Sequence, residues 1–386
     1  MIGFSRTNAA LVGAALGVIA LAGPGTAAYA DGFQVSKLVS DGSVAAMTKD
    51  PNLINPWGMS ASPAGPIWVS DNNSGFSTLY TGAGAKAPLD VAIPGSPTGQ
   101  VCNGSASDFK VSGGGKTGTA AFLFAGEGGI ISGWAPSVNF TNAQVAVDNS
   151  SSGAVYKGLA IGSSGGSNFL YAANFNSGQV EMYNSAFGLV KTFTDPSVAA
   201  GYAPFNVQNL GGTLYVTYAL QNAAKHDDVA GAGHGYVDAF NLDGTFKSRL
   251  VSLGGAIDSP WGLDIAPGGF KSLAGDLLVG NFGDGTISAF NPTTGAFVDV
   301  LRDKNGAPIV EGDLWGLITG NGGSGGDANK VYFTAGVADE AHGLFGSIAA
   351  VPEPEAWALM LIGLGLTGAT LRRRRVTPRV VVASDA

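Results

Sequence analysis

The sequence predicts an all-β protein, a six-bladed β-propeller of four-stranded antiparallel blades in which an N-terminal strand closes the last blade. Three observations carry this. Of 386 residues 61 are Gly and only 12% are charged, against about 25% charged in an average domain. A Pro-aromatic-Gly phrase recurs at steps of about fifty residues. Each copy is followed by further apolar strands separated by Asx and Gly turns.

The composition excludes other classes. With 45% hydrophobic and 9% aromatic residues, the chain is the reverse of a disordered one. Its glycines keep no three-residue period, so it is not collagen. Gly costs about 1 kcal/mol against Ala inside a helix, and there is too little Glu, Lys and Arg to solvate the faces of a helix bundle. Cys102 is the only cysteine, so no intrachain disulfide forms and the core must hold the fold.

The recurring phrase reads Asn55-Pro56-Trp57-Gly58-Met59, Tyr156-Lys157-Gly158-Leu159, Ala203-Pro204-Phe205-Asn206-Val207, Ser259-Pro260-Trp261-Gly262-Leu263 and Leu314-Trp315-Gly316-Leu317. Its glycine-equivalent positions are 58, 158, 206, 262 and 316, with a first step of 100 followed by steps of 48, 56 and 54. The double first step predicts a missing copy near 108, where Asp108-Phe109-Lys110-Val111 stands as a degenerate version. Second strands follow, such as Ile67-Trp68-Val69-Ser70-Asp71 and Leu277-Leu278-Val279-Gly280-Asn281. Third strands carry Tyr80, Trp134, Tyr183, Phe240, Phe290 and Phe345, and outer strands are expected at 89–93, 143–147, 189–193, 246–251 and 297–301. The sixth unit lacks an outer strand, and Phe33-Gln34-Val35-Ser36-Lys37-Leu38-Val39 has the pattern to supply it. Ring closure of this kind removes free sheet edges.

The two ends are addresses. Residues 1–30 read as a signal peptide for the general secretion route, with Arg6, an apolar run over 9–22 and the cleavage site Ala28-Tyr29-Ala30 for signal peptidase. The propeller occupies 31–350. Residues 351–375 contain Pro352-Glu353-Pro354, an apolar stretch of 16 residues (356–371) and Arg372, Arg373, Arg374 and Arg375; 376–386 form a basic, disordered tail. As a helix the apolar stretch spans about 24 Å, so Trp357 and the arginines must sit at opposite membrane interfaces. This segment resembles the PEP-CTERM sorting signal, which an exosortase recognises in the inner membrane of Gram-negative bacteria. The resemblance implies transient anchoring in that membrane, cleavage near the motif and delivery to the cell surface or outside, in bacteria that make exopolysaccharide and biofilm. Residues 376–386 depart from it by continuing past the arginines.

From Asp31 to Val351 there are 12 Lys and 2 Arg against 21 Asp and 4 Glu, a net charge of −11. Nucleic acid demands a basic footprint and is excluded; cations and neutral sugars suit an acidic surface. The blade grammar resembles that of NHL-type propellers. Ser259-Pro260-Trp261-Gly262-Leu263, Gly280-Asn281-Phe282-Gly283-Asp284-Gly285, Phe205-Asn206-Val207-Gln208-Asn209 and His226-Asp227-Asp228-Val229-Ala230-Gly231 resemble a conserved hypothetical family of exported bacterial proteins that often carry such a tail.

Candidate sites follow from residue type and repeat position. Trp57, Tyr156, Phe205, Trp261 and Trp315 enter the innermost strands and are placed to ring one channel mouth. There they stack on sugar rings, with Asn55, Asn206 and Asp264 bonding hydroxyls, or else fill the gaps between blades. The loop holding His226, Asp227, Asp228 and His234 offers imidazole and carboxylate ligands for a divalent metal, and Asx-rich loops also suit Ca²⁺. Asp71, Asn174 and Asn281 end equivalent second strands and read as cation ligands or as Asx-turn caps. No catalytic residue is singled out. The expected role is a binding or scaffold protein of the envelope or biofilm matrix for polysaccharide or protein partners, and the alternative is a metal-dependent hydrolase, lactonase or lyase with its site over the channel.

Overall fold

In the computed structural model, which describes residues 32–351, the predicted strands form six antiparallel sheets of four principal strands each. The signal peptide, the membrane stretch, the Pro352-Glu353-Pro354 motif and the arginines lie outside the described residues. The first strands are Pro56–Ala61, Pro97–Cys102, Tyr156–Ser164, Tyr202–Leu210, Pro260–Ile265 and Leu314–Thr319. Each touches the next, and the last touches the first, so they line a central channel. Six apolar clusters fill the spaces between successive blades, and a seventh lies on the axis. Among the described residues no helix is long and apolar enough to cross a membrane.

Blade 6 closes the ring as expected. Leu344–Ala350 pairs antiparallel with Phe33–Ser40, from Phe33 opposite Ala350 to Ser40 opposite Leu344, and Thr48–Lys49 adds a short parallel edge. Val351 N–H donates to Gly32 O at 2.8 Å and Lys271 Nζ donates to Val351 O at 2.9 Å, so the closure holds up to the start of the tail.

One expectation is corrected. The inner strand of blade 2 is Pro97–Cys102, not the segment at 108. Lys110–Gly113 instead pairs with Lys116–Thr119 as a separate hairpin. Phe109 N–H donates to Ser185 O, and Asp108 accepts from Asn168 Nδ2, tying the hairpin to blade 3. The true phrase, Pro97-Thr98-Gly99, has Thr where the others have a large side chain, which conceals it from a search for aromatics.

Aligned on that glycine, the repeat shows why the residue is needed. A Cβ on Gly58 would lie 2.6 Å from Thr98 O, on Gly99 2.3 Å from Leu159 N, on Gly158 2.7 Å from Asn206 Cα, on Gly262 2.6 Å from Trp315 O and on Gly316 2.6 Å from Trp57 O. Each glycine lets the next blade's backbone approach to a distance no side chain permits. Blade 4 carries Asn206 at this position, and its Nδ2 donates to Trp261 O at 2.7 Å, completing the ring by a hydrogen bond.

Candidate functional site

All six first strands enter from one face, the upper one, which also carries the connections between second and third strands. The side chains just before the ring glycines therefore converge on the upper mouth. They are Trp57, Thr98, Lys157, Phe205, Trp261 and Trp315. In blade 3 the converging residue is Lys157 and not Tyr156. Tyr156 turns into the blade, where its hydroxyl donates to Glu181 Oε2 at 2.7 Å and meets Tyr183 Oη at 3.0 Å.

Trp57, Phe205, Trp261 and Trp315 do come together, as a plug. Trp57 stacks on Trp315 with centroids 3.4 Å apart, and Trp261 stands edge-on to both at 6.0 and 5.8 Å. Phe282 stacks on Trp315 at 4.1 Å, and Phe175 packs on Phe205 at 5.3 Å. The four rings are between 0% and 3% exposed, so they seal the mouth and offer no open face for a sugar. Trp315 Nε1 donates to Asn55 Oδ1 at 2.9 Å and Trp261 Nε1 to Lys157 O at 3.2 Å, whereas Trp57 Nε1 is buried without an acceptor. Beneath the plug a cavity of about 200 Å³ runs between the inner strands, lined among others by Met59, Cys102, Gln208 and Leu317.

Over the plug lies a polar network. Lys157 is 2% exposed, and its ammonium sits 5.0 Å above the Trp57 ring and 6.0 Å from that of Phe175. It pairs closely with Glu127 Oε1 and at 3.5 Å with Asp227 Oδ1. Asn72 Nδ2 donates to the other Glu127 oxygen at 2.8 Å. His226 Nδ1 lies 2.7 Å from Asp227 Oδ1. Burial works to raise Asp227, but His226 and Lys157 outweigh it and hold its carboxyl below the ordinary range. Across the mouth Glu340 accepts from Asn55 Nδ2 at 2.6 Å, and burial raises its carboxyl.

The four-residue metal candidate divides. His226 and Asp227 gain Glu127 from blade 2, and one ligand atom from each of the three lies within 4.8 Å of the others. His234 turns away, with Nδ1 at 3.2 Å from Val229 O. Asp228 is raised by burial, and its Oδ2 has no hydrogen-bond partner. Asp71, Asn174 and Asn281 do not converge. Asp71 accepts from Thr78 Oγ1 at 2.8 Å, Asn174 from Val155 N–H at 3.3 Å and Asn281 from Asp258 N–H at 3.2 Å, each within its own blade.

Asn206 and Asp264 also point elsewhere than the mouth. Asp264 accepts from Thr319 Oγ1 at 2.7 Å and from Ile265 N–H at 2.8 Å, and burial pushes its carboxyl from the ordinary 3.8 up to about 6. A raised folded-state value means the folded protein holds this proton more tightly than the unfolded chain. The associated stability is present below about pH 4 and is lost as pH climbs to about 6. Asp264→Asn is expected to be more stable than the parent at neutral pH and to lack this decline. Urea denaturation at acidic and neutral pH measures it, and parallel pH profiles for the two proteins would refute it.

Besides Lys157 and Glu340, the residues missed by sequence reasoning share one signal. The position after each second strand faces the mouth in every blade: Asn72, Glu127, Phe175, Gln221, Phe282 and Gly336. Register within the repeat, not residue type, identifies them.

Comparison with known proteins agrees with this architecture. Residues 350–375 match the PEP-CTERM protein-sorting motif, which implies exosortase-mediated processing and export to the surface or exterior of a bacterium. A Bacteroides thetaiotaomicron protein of unknown function has a similar fold, with TM-score 0.50 and 10% identity over 83% of this chain and 76% of its own. A virginiamycin B lyase from Staphylococcus aureus aligns with TM-score 0.49 and 12% identity over 83% of this chain and all (100%) of its own. The uncharacterized protein R648 of Acanthamoeba polyphaga mimivirus is 30% identical over 331 residues, 82% of this chain and 80% of that protein. At that identity and over that share of both proteins, the chain belongs to the family of R648.

Proposed function

We propose that this exported propeller is a binding protein of the cell envelope or extracellular matrix, and that its upper mouth takes a hydroxyl-rich polysaccharide. The mouth's pairing state supports this reading. The buried Lys157 ammonium is matched by Glu127 and Asp227, the floor is sealed by aromatic rings, and the exposed groups are His226 and Asp227 with 45% and 59% of their side chains accessible. Such a surface offers fixed donors and acceptors to hydroxyls over a dry floor, the arrangement that orients a neutral polar ligand. Calcium or another divalent ion serving a hydrolase would meet the Lys157 ammonium between the carboxylates, and this favours binding over metal-dependent turnover.

In this reading signal peptidase removes residues 1–30. Residues 356–371 hold the chain in the inner membrane, with the arginines on the cytoplasmic side, until exosortase releases it into an exopolysaccharide matrix. The test is binding of the secreted protein to the exopolysaccharide of the producing bacterium. Replacing both His226 and Asp227 by Ala is expected to weaken binding by about tenfold or more, the loss of a charged hydrogen-bonding group, while the protein stays folded by circular dichroism, since Glu127 still pairs with Lys157. Unaltered binding, or release of shortened saccharides by the wild type, would overturn the reading.

A further inference from the structure

The donors around Lys157 have the composition of a metal site. Glu127, His226 and Asp227 supply two carboxylates and an imidazole from two blades, with ligand atoms within 4.8 Å of one another. Its carboxylates suit Mn²⁺ and its imidazole also suits Zn²⁺. A cation already stands among them. Lys157 arrives from blade 3, with its side chain 2% exposed and its ammonium against Glu127 and 3.5 Å from Asp227. The aromatic floor adds to the preference for positive charge, since the ammonium lies 5.0 Å above the Trp57 ring. The second Glu127 oxygen is already oriented by Asn72, as the outer partners of a metal-binding carboxylate are. In blades 1, 4, 5 and 6 the equivalent position holds Trp57, Phe205, Trp261 and Trp315. Blade 2 has Thr98 there, so the lysine is the one charged residue at this position of the repeat, and it stands where Glu127 and Asp227 approach.

We propose that the mouth is a divalent-cation site whose cation is supplied by the chain itself: Lys157 places a tethered ammonium among Glu127, Asp227 and His226 and thereby keeps the site closed to free metal. Two physical effects support this. Two carboxylates this close repel each other without a counter-charge, and Glu127, with only 14% of its side chain accessible, also resists desolvation, so a positive charge beside them is favoured. A tethered ammonium does this without the entropy of capturing an ion, and it keeps the mouth in one state whatever the metal content outside the cell.

The experiment is a Mn²⁺ titration of the secreted protein, read by calorimetry and by paramagnetic broadening of the His226 ring signals. The wild type is expected to show neither. Lys157→Met keeps the length and the apolar stem but removes the charge, and is expected to bind one Mn²⁺ at least about tenfold more tightly, because a like charge within a few ångströms is gone. Adding Asp227→Asn to Lys157→Met should abolish the gain. A folded Lys157→Met protein that binds no Mn²⁺ would overturn the proposal. So would a wild type that binds Mn²⁺ with the same broadening of His226, since the ammonium would then not occupy the site. Should Lys157→Met fail to fold, Lys157→Gln takes the same measurements. On the wild type alone, an ammonium signal of Lys157 protected from solvent exchange is expected, and its absence refutes the buried pairing. Mn²⁺ is titrated without saccharide, so the outcome is independent of whether the mouth binds polysaccharide.

Discussion

Gly99→Ala is expected to destabilise the propeller by about 3 kcal/mol or more, whereas Gly104→Ala, a few residues on, changes stability by less than about 0.5 kcal/mol. The added methyl at 99 would stand 2.3 Å from Leu159 N and 2.7 Å from Gly158 C, both backbone atoms of the next inner strand. Backbone cannot rotate aside as a flexible side chain can, so the blades must part. In a closed ring, opening one joint strains the others. At Gly104 nothing lies within 4 Å, and neither glycine has a left-handed φ. The pair thus isolates space from conformational freedom. Urea denaturation measures both, and equal stability for the two variants would show that the blades tolerate separation.

Trp315→Ala is the second large effect, with an expected loss of about 3–5 kcal/mol. Trp315 is 1% exposed, lies between the stacked rings of Trp57 at 3.4 Å and Phe282 at 4.1 Å, and bonds Asn55 through Nε1. Truncation leaves a void on the propeller axis and frees Asn55, which also holds Glu340 at 2.6 Å. Trp57 Nε1, buried without an acceptor, then gains access to water. A red shift in tryptophan fluorescence should therefore accompany the fall in melting temperature. Trp315→Phe keeps the stack but leaves Asn55 Oδ1 without its donor and is expected to lose less. If Trp315→Ala melts as the parent does, the rings are not a structural plug and the floor of the mouth must be reconsidered.

The blades were legible because their causes are local. Alternation sets which side of a strand is apolar, and Asn, Asp and Gly set where it turns. The closing strand was legible too, since Phe33-Gln34-Val35-Ser36 alternates like an outer strand and the sixth unit lacked one. Blade 2 was misplaced for a reason equally local. Phe109 and Val111 imitate the apolar phrase, and only the contacts with Asn168 and Ser185 of blade 3 mark their hairpin as an addition. At the blade 3 position residue type points to the aromatic Tyr156, whereas register within the repeat points to Lys157.

The sequence by itself determined the propeller, its blade number, its acidic body and its sorting address, since periodicity, charge and a short linear motif survive without three-dimensional context. The tertiary structure alone decided the mouth. Glu127, Lys157 and Asp227 come from three blades, and nothing along the chain announces their approach. Only ring closure, made possible by glycines that admit a neighbouring backbone, brings them to one point. Burial there turns an ordinary lysine into the charge on which the mouth is centred.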